Sequence, residues 1–494
     1  MKTNNPQSCA STGIAGLDKV LGGGLPKDRL YLAEGTPGSG KTTLGLQFLL
    51  EGAARGERVL YVTLSETRSE LEGVAASHGW NLDDVAIHEL SVDGGVAPDD
   101  QYTFFHPSEV ELAETTKAVF DEVLKIEPTR VVFDSLSEMR LLAREPLRYR
   151  RQILGLKQFF VGRDCTVLML DDLTSQETDL QLSSLAHGVI ALEQLAPEYG
   201  AERRRLRIVK LRGVGFLGGF HDFVIETGGL RVFPRLVAAE SRNGDRHESA
   251  SSGIAELDEL CGGGLDRGTT TLFMGPAGAG KSALATQFVV AAAARGERVA
   301  MYLFDEGLET FHRRAAGLGV DTERHVKTGH LTLTLIDPAE MSPGEFSDRI
   351  RTAVDSHNAS VIVIDSINGY LNAMPEERFL QAQLHELYMF LRQRGVLTLS
   401  IMAQHGLVGT MAAPVDLSYL ADTVVLLRFF EAAGEIRQAI SVMKKRSGMH
   451  ERAIRELRLR PGGISLGRPL TDFRGVLTGV PIPSGTTAPR SERA

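Results

Sequence analysis

At 494 residues, with 43% hydrophobic and 24% charged side chains, the chain is long enough for two or three soluble domains, each burying its own core. A formal net charge of −9 offers no electrostatic footprint for tight nucleic-acid binding, which needs clustered Lys and Arg against phosphate. Three scattered cysteines (Cys9, Cys165 and Cys261) argue against a disulfide framework. No signal-peptide core and no apolar run near the roughly 20 residues of a membrane helix is seen, so a cytoplasmic protein is expected.

In chain order, Ser11-Thr12-Gly13-Ile14-Ala15-Gly16-Leu17-Asp18 leads into Gly22-Gly23-Gly24-Leu25. A strand at Leu30–Ala33, a glycine-rich turn and a helix presenting Leu44, Phe48 and Leu49 on one face follow, and Gly56 closes the helix. Strands are then expected at Val59–Leu64, Val131–Phe133, Val167–Leu170 and Gly188–Leu192. The polar run Glu240–Glu248 reads as a linker, after which the opening pattern returns as Ser251-Ser252-Gly253-Ile254-Ala255-Glu256-Leu257-Asp258 and Gly262-Gly263-Gly264-Leu265. The second copy carries expected strands at Thr271–Met274, Val299–Phe304, Val361–Ile364, Leu397–Ile401 and Thr423–Leu427. A repeat this long means duplicated domains. The expected division is a first domain at 1–240, a linker at 241–249, a second domain at 250–480 and a disordered tail at 481–494 rich in Pro, Gly, Ser and Thr.

Gly35-Thr36-Pro37-Gly38-Ser39-Gly40-Lys41-Thr42 and Gly275-Pro276-Ala277-Gly278-Ala279-Gly280-Lys281-Ser282 both fit GxxxxGK[ST]. Glycines let such a loop wrap backbone N–H groups around a β-phosphate at the positive end of the next helix. Thr43 and Ala283, the next residues, complete the ATP-binding candidates. Lys41 and Lys281 would reach the β- and γ-phosphates, while the Thr42 and Ser282 hydroxyls would face Mg²⁺. The apolar runs Arg130–Asp134 and Ser360–Asp365 each end in aspartate, making Asp134 and Asp365 the candidates for the magnesium's water shell. Glu66, after Ser65, and Glu306, after Asp305, end the strand that follows the P-loop helix and are candidates to orient an attacking water. Together these features predict an α/β chain of two tandem RecA-like P-loop NTPase domains, each a mostly parallel sheet flanked by helices.

The paired repeats, the Ser-Thr-Gly-Ile entry and the two P-loops resemble the KaiC family, the ATPase and autokinase of the cyanobacterial clock, over about residues 10 to 480. In that family the carboxylate strand ends in two adjacent glutamates; here Ser65 and Asp305 occupy the first position, so Glu66 and Glu306 inherit the role, with Asp305 as an intact acid partner. The resemblance further implies a homohexameric double ring with ATP between subunits. It also implies Lys-x-Arg pairs, here Lys210-Leu211-Arg212 and Lys444-Lys445-Arg446, that reach a neighbour's nucleotide. Two cations at alternate positions of a strand point to one side and can neutralise developing γ-phosphate charge. Ser418 falls on the first phosphoacceptor position of the family's second domain, and Tyr419 replaces the second acceptor. Slow ATP hydrolysis with MgATP, autophosphorylation at Ser418, and KaiB-like or other signalling partners are what the resemblance implies. Two other readings share the same motifs: a DNA-stimulated RecA-type motor, against which the acidic balance and the lack of a DNA-binding appendage stand, and a nucleotide-gated scaffold without kinase activity.

Overall fold

The structure, a computed structural model, describes residues 8–90, 107–143, 145–172, 180–197, 199–237, 248–372, 379–404, 406, 417–478 and 482–483. The chain divides into two compact units, Met1–Arg235 and Leu236–Ala494. The expected linker lies outside the described residues from 241 to 247, and Ser249–Ala250 already belongs to the second unit as a short strand paired with Leu265–Asp266. Most of the expected tail is also outside the described residues, but Ile482–Pro483 pairs with Phe473–Arg474.

The first unit is built on nine strands: β1 (Leu30–Gly35), β2 (Val59–Thr63), β3 (Ala86–Glu89), β4 (Arg130–Asp134), β5 (Thr166–Asp172), β6 (Gly188–Leu195), β7 (Arg203–Leu211), β8 (Phe220–Glu226) and β9 (Gly229–Phe233). Their order is β9-β8-β7-β6-β1-β5-β4-β2-β3. The pairings from β6 to β3 are parallel, and β7, β8 and β9 extend the sheet as an antiparallel wing. The second unit repeats the plan with β10 (Thr270–Gly275), β11 (Val299–Leu303), β12 (Leu331–Leu335), β13 (Val361–Asp365), β14 (Leu397–Ala403), β15 (Thr423–Ala432), β16 (Glu435–Lys445), β17 (Arg455–Arg460) and β18 (Gly463–Pro469). There the order is β12-β11-β13-β14-β10-β15-β16-β17-β18.

The parallel strands are continuous apolar runs because helices cover both faces, as parallel sheets require. Tyr31 and Ala33 of β1 pack with Phe48 and Leu49 of the P-loop helix, Lys41–Ala54. Leu30 and Leu32 point the other way, toward Met139, Leu156 and Phe160. All the strands expected from the sequence are present. The edge strands β3 and β12 and most of the two wings are additional. The arginine run at 203–205 is part of β7: Arg204 pairs with Glu202, Arg205 pairs with Glu193, and Arg205 lies over the Phe220 ring at 4.1 Å.

Candidate functional site

In both units β1 and β10 run into a glycine turn whose last glycine is left-handed (Gly40 φ 97°, Gly280 φ 100°) and opens the next helix with no side-chain cap. The first N–H groups of each helix are therefore unclaimed by side chains and point at the turn. Side chains are disfavoured at both glycines: a Cβ on Gly35 would sit 2.5 Å from the Leu192 carbonyl oxygen and 2.6 Å from the Ser39 Oγ, and Gly40 is held in the left-handed region. Among the described residues the buried Ser39 hydroxyl has no partner. These are the features of an anion cradle.

Lys41 is buried and donates to the Gly35 and Thr36 carbonyls at 3.0 and 2.9 Å, and its Nζ pairs with Asp172 at 2.7 Å. Lys281 donates to the Pro276 carbonyl at 2.6 Å. Burial pulls the Lys281 ammonium down to about 8, against the opposing pull of Asp365.

The strand-end aspartates reach the residue after each lysine. The Thr42 hydroxyl donates to Asp134 Oδ2 at 3.0 Å, and the Tyr61 hydroxyl donates to the same oxygen at 2.5 Å. Burial raises Asp134 above the usual carboxylate range, opposed by those two hydrogen bonds. In the second unit Ser282 is hydrogen-bonded to Asp365, whose carboxyl burial pushes up to about 6 against that bond. Met301 stands where Tyr61 would be, so this aspartate lacks the tyrosine donor.

The two candidate water-orienting carboxylates differ. Glu66 is anchored by its backbone, which exchanges hydrogen bonds with the Thr63 hydroxyl, and its buried Oε2 has no partner among the described residues. Burial, then the nearby Asp134, Glu70 and Asp172 carboxylates, pushes it up to about 7. Both oxygens of Glu306 are engaged: Arg314 Nε donates to Oε1 at 3.1 Å and Arg314 Nη2 to Oε2 at 2.8 Å. Asp305 accepts from the Ser366 hydroxyl at 2.5 Å.

The Lys-x-Arg pairs occupy equivalent places. Lys210 donates to the Ser183 carbonyl and Arg212 to that of Ser184 at 2.9 Å. Lys444 donates to the carbonyls of Ser418 and Ala421 at 2.8 and 2.7 Å, and Arg446 to that of Tyr419 at 3.0 Å. A register break precedes each lysine, between Val189 and Ile190 and between Val424 and Val425, and leaves Val209 and Met443 exposed. By register, Lys210 lies across from Val189, which pairs with Leu32. Lys444 lies across from Val424, which pairs with Leu272. Each pair thus sits about 10 Å back along the sheet from its own P-loop glycine.

Sequence motifs did not single out Tyr61, Asp172 or Arg314. Tyr61 and Asp172 lie on strands flanking the motifs and reach them only through sheet order. Arg314 lies eight residues beyond Glu306, on the following helix, and folds back onto it. Position-by-position comparison of the repeats carries the only signal for it: Val74 stands at the equivalent place in the first unit.

Two RecA-like sheets, each with a glycine cradle, a buried lysine and a strand-end aspartate bonded to the following hydroxyl, define a tandem P-loop NTPase. A family model described as the KaiC ATPase matches residues 10–237 and again 250–470, and the chain belongs to the KaiC family of ATPases. It is 28% identical over 480 residues to the circadian clock protein KaiC3 of Synechocystis sp., covering 95% of this chain and 94% of that one. It is 26% identical to the circadian clock oscillator protein KaiC of Parathermosynechococcus lividus (95% and 87% covered) and 27% identical to that of Prochlorococcus marinus (95% of each). No helix among the described residues is long and apolar enough to cross a membrane.

Proposed function

We propose that both domains bind MgATP at subunit interfaces of a homohexamer and hydrolyse it slowly, and that the second domain phosphorylates its own Ser418. The observation that carries the ATP reading is the repeated contact between strand-end aspartate and P-loop hydroxyl, Thr42 with Asp134 and Ser282 with Asp365. These are hard oxygen donors of the kind that hold Mg²⁺, and the glycine cradle beside them fits a polyphosphate. When bound, the metal supplies neutralisation of phosphate charge.

The residues of the two loops, 36–43 and 276–283, enclose the phosphates with backbone N–H groups, and Lys41 and Lys281 neutralise the β- and γ-oxygens. Lys41 must leave Asp172 to do so. Glu66 and Glu306 accept a hydrogen bond from the attacking water and align it with the γ-phosphorus. As the water's oxygen bonds to phosphorus, the bond to the ADP oxygen breaks. Lys210 with Arg212, and Lys444 with Arg446, stand too far back along their own sheets for this work and would serve the nucleotide of a neighbouring copy.

Ser418 lies on the turn that Lys444 and Arg446 grip by its carbonyls. A phosphate on its hydroxyl would add a charge of about −2 beside two cations, able to change how that turn is held and thereby to signal to KaiB-like or other partners.

Native mass spectrometry in MgATP tests the first part: a six-chain complex with two nucleotides per chain is expected, and a monomer or a nucleotide-free hexamer contradicts it. Intact-mass measurement after MgATP incubation, beside Ser418→Ala, tests the second. A phosphate-sized gain only in the parent supports the autokinase; phosphate release without any gain leaves an ATPase switch.

A further inference from the structure

The two repeats place a helix of ten residues directly after the candidate water-orienting carboxylate, Arg68–Ser77 after Glu66 and Leu308–Gly317 after Glu306. Only the second carries a cation that folds back onto that carboxylate. Arg314 holds both Glu306 oxygens in a two-pronged contact, and its guanidinium carbon lies over the Phe311 ring, 5.3 Å from the ring centre. Its remaining nitrogen, Nη1, is buried and has no partner among the described residues. The pair is sheltered, with about a quarter of each side chain exposed (27% and 21%). A carboxylate gripped by a planar fork on both oxygens has its best acceptor directions occupied. At the matching place in the first domain, Val74 offers no donor, and Glu66 Oε2 has no partner among the described residues.

We propose that Arg314 is a positioning residue that latches Glu306 away from the attacking water, so that hydrolysis in the second domain is restrained by a device the first domain lacks. Turnover there requires the Arg314–Glu306 contact to open; the guanidinium lies near enough to Asp365 to act on its charge, and its spare Nη1 donor gives it an alternative anion to follow, the bound phosphate. The latch rests on the reading of Glu306 as the water-orienting group. It makes the site with the intact acid pair Asp305–Glu306 the more restrained one in the resting chain.

The test uses the full-length chain with Lys41→Ala silencing the first domain. Steady-state ATP turnover is compared for that background alone and with Arg314→Val, Arg314→Lys or Glu306→Gln added. Releasing one sheltered ion pair is worth on the order of a five-fold rise in kcat. The expected result is such a rise for Arg314→Val with KM for ATP unchanged, a smaller rise for Arg314→Lys, and loss of turnover for Glu306→Gln. If Glu306→Gln loses turnover while Arg314→Val is unchanged or slower, the latch is wrong and the role of Glu306 stands. If Glu306→Gln keeps full turnover, that role is wrong and the latch falls with it.

The reciprocal graft guards against a misfolded variant. In a Lys281→Ala background, Val74→Arg should slow the first domain about five-fold. It should also move the acid limb of its pH profile below the value near 7 set by burial and by Asp134, Glu70 and Asp172. A graft that leaves both rate and pH limb in place overturns the latch; a merely structural arginine would not move the limb.

Discussion

Replacing Glu66 by Gln should make the nucleotide-free protein more stable while silencing the first domain. The Glu66 carboxyl is pushed from 4.5 to about 7, first by burial and then by Asp134, Glu70 and Asp172. Its folded-state proton affinity exceeds the unfolded one, so the folded state is penalised wherever the group is ionised. Below about pH 4.5 the acid is neutral in both states and the penalty is absent; it grows as pH rises to 7 and is complete above it. At 1.36 kcal/mol per pH unit the full displacement is about 3.4 kcal/mol. The carboxyl is only half-buried, and solvent screening reduces this to about 1–2 kcal/mol. Glutamine keeps the shape and removes the charge. Urea unfolding of the first-domain transition in EDTA should therefore show Glu66→Gln more stable by about 1–2 kcal/mol at pH 8 and equal to the parent at pH 4.5. Equal stability at pH 8, or a gain that grows toward acid, would refute the reasoning.

Other outcomes follow from the same contacts. Arg212→Ala should leave nucleotide binding intact and lower phosphate release, because Arg212 lies far from its own P-loop; unchanged turnover removes it from the reaction. Lys281 titrates near 8 because of burial, so it is charged below that pH and neutral above it, and phosphate recognition above pH 8 must recapture a proton. Calorimetry on Lys41→Ala in buffers of different ionisation heat should show proton uptake on ATP binding rising from about pH 7 to pH 9; no uptake at pH 9 contradicts it. Arg130 is buried between Glu57 and the carbonyls of Ser11 and Phe48. Arg130→Met should cost about 3–5 kcal/mol in denaturant unfolding, and a loss below about 1 kcal/mol would show the network to be dispensable.

The glycine spacing, the repeat and the apolar strands ending in aspartate made the P-loop core legible in the sequence. Each depends on a local constraint: a left-handed turn at Gly40 and Gly280, or a strand covered on both faces. The antiparallel wings were harder to read. In β7 the alternation of a half-exposed strand is hidden by successive arginines at 203, 204 and 205, each with its own partner or packing surface. The short edge strand Ala86–Glu89 is only partly buried and carries little pattern at all. Within the site, Asp172 and Tyr61 act across neighbouring strands, so their approach to Lys41 and Asp134 follows from sheet order and not from spacing. The contrast between Arg314 and Val74 was present in the aligned repeats, but it gains chemical meaning only when the helix turns that position onto Glu306.

The most direct test of two ATP-hydrolysing domains is phosphate release by the full chain carrying Lys41→Ala, Lys281→Ala or both. Each single variant should keep part of the activity and the double variant should keep none. Hydrolysis persisting in the double variant, or a single variant that loses nothing, would contradict the account.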